Sequence, residues 1–280
     1  MNKLLKRLLL VAIIFPTIYL CLFVFTFQSH LLFNVLIAVF AFGSAFEMAG
    51  ILKKAQFEVM QWLSPVLSAL LPIIAYVNYA FYPDLDLVHL FLILSFIIVF
   101  LKILFPLNNK DFSKTIKSLA SSVLVIVYPG YFFTYMVKIL SLESPHWSFL
   151  LYLLIVFANE IFAYLIGNFM GRKSKLNLPV SPNKSIAGFV GGSVAAIVFP
   201  LVFYVIPGFL TIEPWVFVLF CLFLSVIANL GDLIESAIKR SAAIKDSGNS
   251  LAGRGGFFDS VDGLLLSAPF YYWLFQFLKG

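Results

Sequence analysis

Apolar residues in this chain come in long runs, each closed by a short polar stretch, with little of the alternation that marks strands. A helix crossing about 30 Å of hydrocarbon needs roughly 20 mostly apolar residues. On that ruler the runs predict nine spans, at approximately 8–28, 31–52, 62–82, 87–107, 116–140, 147–170, 186–206, 214–234 and 261–279. The runs are too long for barrel strands, and a helix satisfies its own backbone groups in lipid. Trp62, Trp147, Trp215 and Trp273 fall near predicted helix ends, where interfacial aromatics belong. The expected fold is an all-α integral membrane protein. Residues 1–145 would hold about five N-terminal helices, and residues 146–280 about four helices with two polar loops.

Composition strengthens this reading. The 280 residues are 62% hydrophobic and only 11% charged, whereas a soluble domain carries about 25% charged residues. The net charge of +6 sits in short loops between apolar runs. That arrangement sets membrane topology and suits anionic headgroups, so a nucleic-acid partner is not expected. Cys21 and Cys221 both lie inside apolar segments, which argues against a disulfide framework or a thiolate metal site. Lys3, Lys6 and Arg7 precede the first run as in a secretory signal. The run continues to about Phe27 with no small-x-small cleavage pattern, so a retained first helix is expected.

Basic residues also give an orientation. With the N-terminus in the cytoplasm, Lys53 and Lys54, residues 110–117, 172–184 and 239–254 all fall inside, while the outer loops carry no Lys or Arg. Only Lys138 and Lys279 lie towards the outside. His30, His89 and His146 sort to outer helix ends and read as interfacial polar caps, leaving no histidine base for the inner face.

Acidic residues in or beside a bilayer are costly and are functional candidates by default. Glu47, Glu58, Asp111, Glu160, Asp232, Glu235, Asp246, Asp259 and Asp262 map to the inner half. A first cluster is Asn159-Glu160 in the sixth span; Glu160, Tyr164, Gly167 and Gly171 share one helix face. Glu160 would lie roughly 16 Å from the end of its helix, at the floor of a pocket open to the cytoplasm. A second is Ser181-Pro182-Asn183-Lys184-Ser185, leading into Gly188, Gly191 and Gly192. Ser before Pro suits an N-cap, and a helix N-terminus with Lys184 beside it suits a phosphate.

The third cluster, Gly231 to Asp262, is the most informative. Asp232, Glu235, Ser236 and Lys239 form one polar stripe at the inner end of the eighth span. Asp232 lies about 26 Å along the helix from Trp215, near the inner headgroup boundary. Asp259 and Asp262 make an i, i+3 pair where the ninth span begins, and Lys245, Asp246 and Arg254 lie between. Paired carboxylates with Lys and Arg nearby fit a Mg²⁺-dependent polyphosphate reaction: the carboxylates hold metal, and metal and cations offset charge growing on phosphoryl oxygens.

These residues resemble the phosphatidate cytidylyltransferase (CDP-diacylglycerol synthase) family. Its C-terminal signature is similar to Ser236-Ala-Ile-Lys239-Arg240, Lys245-Asp246-Ser247-Gly248, Gly253-Arg254-Gly255-Gly256 and Asp259-Ser260-Val261-Asp262, with the spacing kept throughout. Gly231-Asp232-Leu233-Ile234-Glu235, Ser181-Pro182-Asn183-Lys184-Ser185 with Gly188, and Ala163-Tyr164 with Gly167 and Gly171 resemble three further family elements. Before residue 155 the likeness rests on topology and a weak match around Phe46-Glu47. Arg254 stands where the family usually has His, Ser260 where it has Arg, Ala252 for Pro and Glu160 for Asp. Arg254 keeps a positive charge but removes a group titrating near neutral pH; Ser260 removes a cation beside Asp259.

The resemblance implies Mg²⁺, with room for a second cation, CTP and phosphatidate as substrates, and a homodimer in a membrane. It implies Asp232 and Asp259 as metal ligands. Lys239, Lys245 and Asp246 would join them in catalysis, while Asn159, Glu160, Ser181, Lys184, Glu235, Arg240, Arg254 and Asp262 would bind substrate. The expected reaction makes CDP-diacylglycerol and pyrophosphate in a bacterial inner (plasma) membrane, with the site facing the cytoplasm. Two other readings stand beside it. One is a CTP-using relative acting on another lipid, a polyprenol or phytol kinase or a CDP-archaeol synthase. The other is an ion-coupled transporter, which would spread its acids through both halves.

Overall fold

The computed structural model describes residues 12–104, 112–171, 174–251 and 255–279. They form helices α1 (Ala12–Val24), α2 (Phe27–Lys54), α3 (Leu63–Phe81), α4 (Leu87–Leu104), α5 (Thr115–Ile139), α6 (Pro145–Met170), α7 (Ile186–Val205), α8 (Pro214–Ser241) and α9 (Phe258–Lys279). Each predicted span therefore has a helix. Seven of them, α2 to α8, are long and apolar enough to cross a membrane. The chain is an all-α, multi-pass integral membrane protein. Cys21 and Cys221 are both free thiols.

The chain divides into two compact units, one of residues 1–141 with 238–261, the other of residues 142–237 with 262–280. In the first, Leu67, Leu71, Val99 and Ile126 form an apolar core. Two local departures from regular helix shape this unit. Gln28, Ser29 and His30 have left-handed backbone angles, a region that non-glycine residues seldom occupy. The carbonyls released there are captured: Tyr76 Oη donates to Gln28 O at 2.8 Å, Tyr79 Oη to Ser29 O, and Asn34 Nδ2 to His30 O at 3.0 Å. In α5 a π-turn at Ile126–Tyr131 contains Pro129. Proline cannot donate to the helical ladder, and Ser68 Oγ of α3 takes the nearby Val125 carbonyl at 2.7 Å. At the surface, Asp86 lies 2.7 Å from His89 Nδ1, a hydrogen bond that holds its carboxyl below the usual range.

The second unit has an aromatic core of Tyr152, Phe217, Phe220, Tyr271 and Phe275. Buried tyrosines need a partner for the hydroxyl. Tyr271 Oη donates to Ser148 O at 2.7 Å, and Tyr152 Oη to Leu264 O, so the same rings that fill the core also fasten α6 to α9.

One expected boundary moves. Ser181 and Pro182 do not start α7. The N-cap is Ser185, whose Oγ accepts from Gly188 N at 3.0 Å. Residues 181–184 form a tight turn, with Lys184 N donating to Ser181 O at 3.3 Å. Proline's fixed φ suits the second position of such a turn as well as the first turn of a helix.

Candidate functional site

Asp232 and Glu235 stand one turn apart on α8, and Asp262 lies in the first turns of α9. One carboxylate oxygen from each lies within 4.8 Å of the others. Glu235 is fully buried, and Asp232 and Asp262 are half-buried. Close approach of the two helices makes this possible: a Cβ at Gly231 would sit 2.5 Å from the Asp262 carbonyl oxygen. Glycine is the residue that lets backbones meet in such a packing. The Asp262 side chain is itself braced, with Oδ1 accepting from Gly263 N at 2.7 Å.

A cation borders the cluster. Lys184 Nζ lies 2.7 Å from Asp232 Oδ2 and donates to Asn229 O at 3.3 Å. The turn at Ser181–Lys184 carries this side chain to α8. Behind it runs a buried polar seam. Asn229 Nδ2 donates to Asn159 Oδ1 at 3.1 Å and to Ser225 O at 2.8 Å, and Ser225 Oγ donates to Ser193 Oγ at 2.9 Å. Asn159, 3% exposed, is thereby held among three helices, whereas its neighbour Glu160 is exposed on α6. Asn229 was not singled out in the sequence, although it lies three residues before Asp232 and so shares its helix face.

The donor set fits a hard divalent cation. Mg²⁺ and Ca²⁺ take carboxylate oxygens at about 2.0–2.6 Å, so oxygens up to roughly twice that apart can share one ion. Asp232, Glu235 and Asp262 are the residues that could hold it.

Asp259 has different neighbours. Its Oδ1 lies 2.7 Å from Lys239 Nζ, and the two side chains are 9% and 11% exposed. Its Oδ2 accepts from Ser247 N and Gly256 N, each at 2.9 Å. Arg240 is exposed, and its Nη1 donates to Ile244 O at 2.9 Å, closing the end of α8. Lys245 and Asp246 are exposed on the following loop. Ser260 donates to Gly256 O at 3.0 Å, a local turn contact where the family's usual residue would carry charge. Arg254 lies outside the described residues.

Comparison with known proteins bears on the family of the chain. The sequence profile of the cytidylyltransferase family matches residues 5–278. A phosphatidate cytidylyltransferase of Bacillus subtilis is 39% identical over 152 residues, 54% of this chain and 56% of the relative. One of Staphylococcus saprophyticus is 37% identical over 150 residues, again 54% and 56%. One of Thermotoga maritima is 32% identical over 178 residues, 62% and 65%. These alignments span little more than half the length of the relatives, but the profile runs across almost the whole chain, and with its multi-pass helical fold the chain belongs to the cytidylyltransferase family.

Proposed function

We propose that this chain is a Mg²⁺-dependent phosphatidate cytidylyltransferase, converting CTP and phosphatidate to CDP-diacylglycerol and pyrophosphate. The observation that carries the reading is the convergence of Asp232, Glu235 and Asp262 within 4.8 Å, with Lys184 paired at the edge, in a membrane chain of this family. The names of the relatives supply the substrate pair.

In this reading Asp232, Glu235 and Asp262 hold the cation. Mg²⁺ bound there would neutralise triphosphate charge and template the reacting groups. The protein's own contribution is positional and electrostatic. Lys184 and, as the motif resemblance implies, Lys239 present ammonium groups to phosphate oxygens, and such preorganised charges cost little to reorganise during reaction. A phosphatidate phosphate oxygen forms a bond to the α-phosphorus of CTP while the bond from that phosphorus to the bridging oxygen breaks, releasing pyrophosphate. The attacking oxygen is already anionic near neutral pH, so the step needs no strong general base, and orientation carries the rate. Motif resemblance also gives Asp259 to a metal. Its oxygens take Lys239 and two backbone amides, so a second cation there would compete with the ammonium. We assign Asp259 the task of orienting Lys239. Asn159, Ser181, Arg240, Lys245, Asp246, Arg254 and Glu160 are proposed as the polar surround of the substrates.

The basic inner loops favour a cytoplasm-facing site in a bacterial plasma membrane, and the relatives named above are bacterial. A homodimer is proposed from the family resemblance, and mass photometry in nanodiscs would test it. The deciding experiment incubates purified protein with CTP, Mg²⁺ and a lipid panel (phosphatidate, polyprenol, archaeol phosphate) and reads products by mass spectrometry. CDP-diacylglycerol from phosphatidate is expected. A product from another lipid alone, or none dependent on CTP, would sink the assignment.

A further inference from the structure

Glu47, near the C-terminal end of α2, is 9% exposed, and its carboxylate gathers donors from a segment 200 residues away in sequence. Ser247 Oγ donates to Oε2 at 2.8 Å, Phe258 N to Oε2 at 3.0 Å, and Ser250 Oγ to Oε1 at 2.7 Å. Phe258 is the first residue of α9, where backbone N–H groups have no helical acceptor. Glu47 therefore caps α9 from another helix, at the end whose dipole favours a negative group. Packing follows the same path: the Phe257 ring meets Phe40 of α2 edge-on at 5.1 Å, and Phe258 meets Tyr128 of α5 at 5.8 Å. Backbone is pressed against the carboxylate so closely that a Cβ on Gly256 would collide with Glu47 Oε2 and Ser247 Oγ.

The contacts continue to the reactive groups. The same Ser247 that donates its hydroxyl hydrogen to Glu47 accepts from Asp259 N at 3.3 Å and gives its own N–H to Asp259 Oδ2 at 2.9 Å. Asp259 in turn holds Lys239 at 2.7 Å. A relay thus runs from Glu47 through Ser247 to Asp259 and Lys239. Burying a carboxylate in a membrane-spanning helix is expensive unless it is well hydrogen-bonded, and apolar contacts such as Phe40–Phe257 would fasten the segment without it.

We infer that Glu47 is a positioning residue for the nucleotidyl transfer: it fixes residues 247–258 so that Asp259 presents Lys239 in one geometry. The inference rests on the proposed reaction for its catalytic consequence, though the tether can be read without any activity.

Four variants test it: Glu47→Ala, Glu47→Gln, Ser247→Ala and the Glu47→Ala/Ser247→Ala pair, each in the full chain in detergent with thermal unfolding as the folding control. Glu47→Ala should lower kcat about 10–100-fold, the range for supporting groups one step behind a reactive ligand, with KM for CTP little changed. Glu47→Gln, which keeps an oxygen for Ser247 and Phe258 while Ser250 can turn to accept, should recover most of the loss. Because both act through one relay, the double variant should lose less than the product of the single losses. Hydrogen exchange at the Ser247, Gly256 and Phe258 amides should quicken in Glu47→Ala. Wild-type kcat together with unchanged exchange in Glu47→Ala would overturn the inference. Should Glu47→Ala misfold, Ser247→Ala leaves α2 untouched, and unchanged kcat and exchange in it would overturn the inference equally. If the wild type itself makes no CDP-lipid, the proposed reaction fails, while faster exchange in Glu47→Ala would still uphold the tether.

Discussion

Two carboxylate sites in this protein use the same residue types to opposite ends. In one, Asp232, Glu235 and Asp262 bring oxygens within 4.8 Å of one another, with Lys184 on Asp232. Crowded oxygens of like charge form a set whose own repulsion is relieved by a divalent cation. In the other, Asp259 is matched by Lys239 and by the amides of Ser247 and Gly256. There the charge is answered by the protein, and the benefit is a fixed geometry. On the proposed reading, an acidic residue at a helix end serves as a cation site or a clamp according to what the fold sets beside it.

Breaking the clamp should have the largest effect. Asp259→Asn takes a counter-charge from the largely buried Lys239 ammonium, and loss of one partner of such a pair costs about 3–5 kcal/mol. A lowered unfolding temperature in detergent would register it, and adding Lys239→Met should restore part of the loss because no lone charge then stays buried. Next comes the cation set. Asp232→Asn and Asp262→Asn should each slow CDP-lipid formation by about 10²–10³, the cost of removing one preorganised electrostatic group. Their Mg²⁺ dependence should shift to higher concentration, and that shift should be absent in Asp259→Asn; equal shifts in all three would erase the distinction between the sites.

A smaller effect is expected from Gly231→Ala. Its added Cβ would sit 2.5 Å from the Asp262 carbonyl oxygen, and forcing backbone apart in a tight packing costs about 1–3 kcal/mol. Activity and Mg²⁺ affinity should fall together in that variant, as Asp262 is carried away from Asp232.

The smallest effect belongs to the exposed pair of Glu58 and Lys114, 2.8 Å apart. Its hydrogen bond and the lysine's charge hold the Glu58 carboxyl below the ordinary value. A depressed folded value means that its contribution is present above the ordinary carboxylate pKa and is lost as pH falls through the depressed one. Both groups are solvated, so screening leaves little to lose. Glu58→Gln should leave the thermal unfolding profile between pH 7 and about pH 4 unchanged within error; a visible divergence there would mean that exposed pairs matter more in this protein than the contrast implies.

What the sequence determined by itself was set by local physics. Long apolar runs have no stable alternative in lipid to a helix, and among the described residues seven of the predicted spans are helices long and apolar enough to cross a membrane. The i, i+3 spacing put Asp232 with Glu235, and the motif spacing from Ser236 to Asp262 carried the family. Only the tertiary structure decided which acids stand together. Asp262, expected to bind substrate, joins Asp232 and Glu235 because Gly231 lets α9 come close. Asp259, legible as a metal ligand, has Lys239 against it. Glu47 was legible only as one acid among several of the inner half and as a weak match in an apolar run, yet it accepts hydrogen bonds from residues 247, 250 and 258. Spacing along a helix is fixed by 3.6 residues per turn and is therefore written in the chain. A contact across 200 residues depends on how helices pack, and no local pattern encodes it.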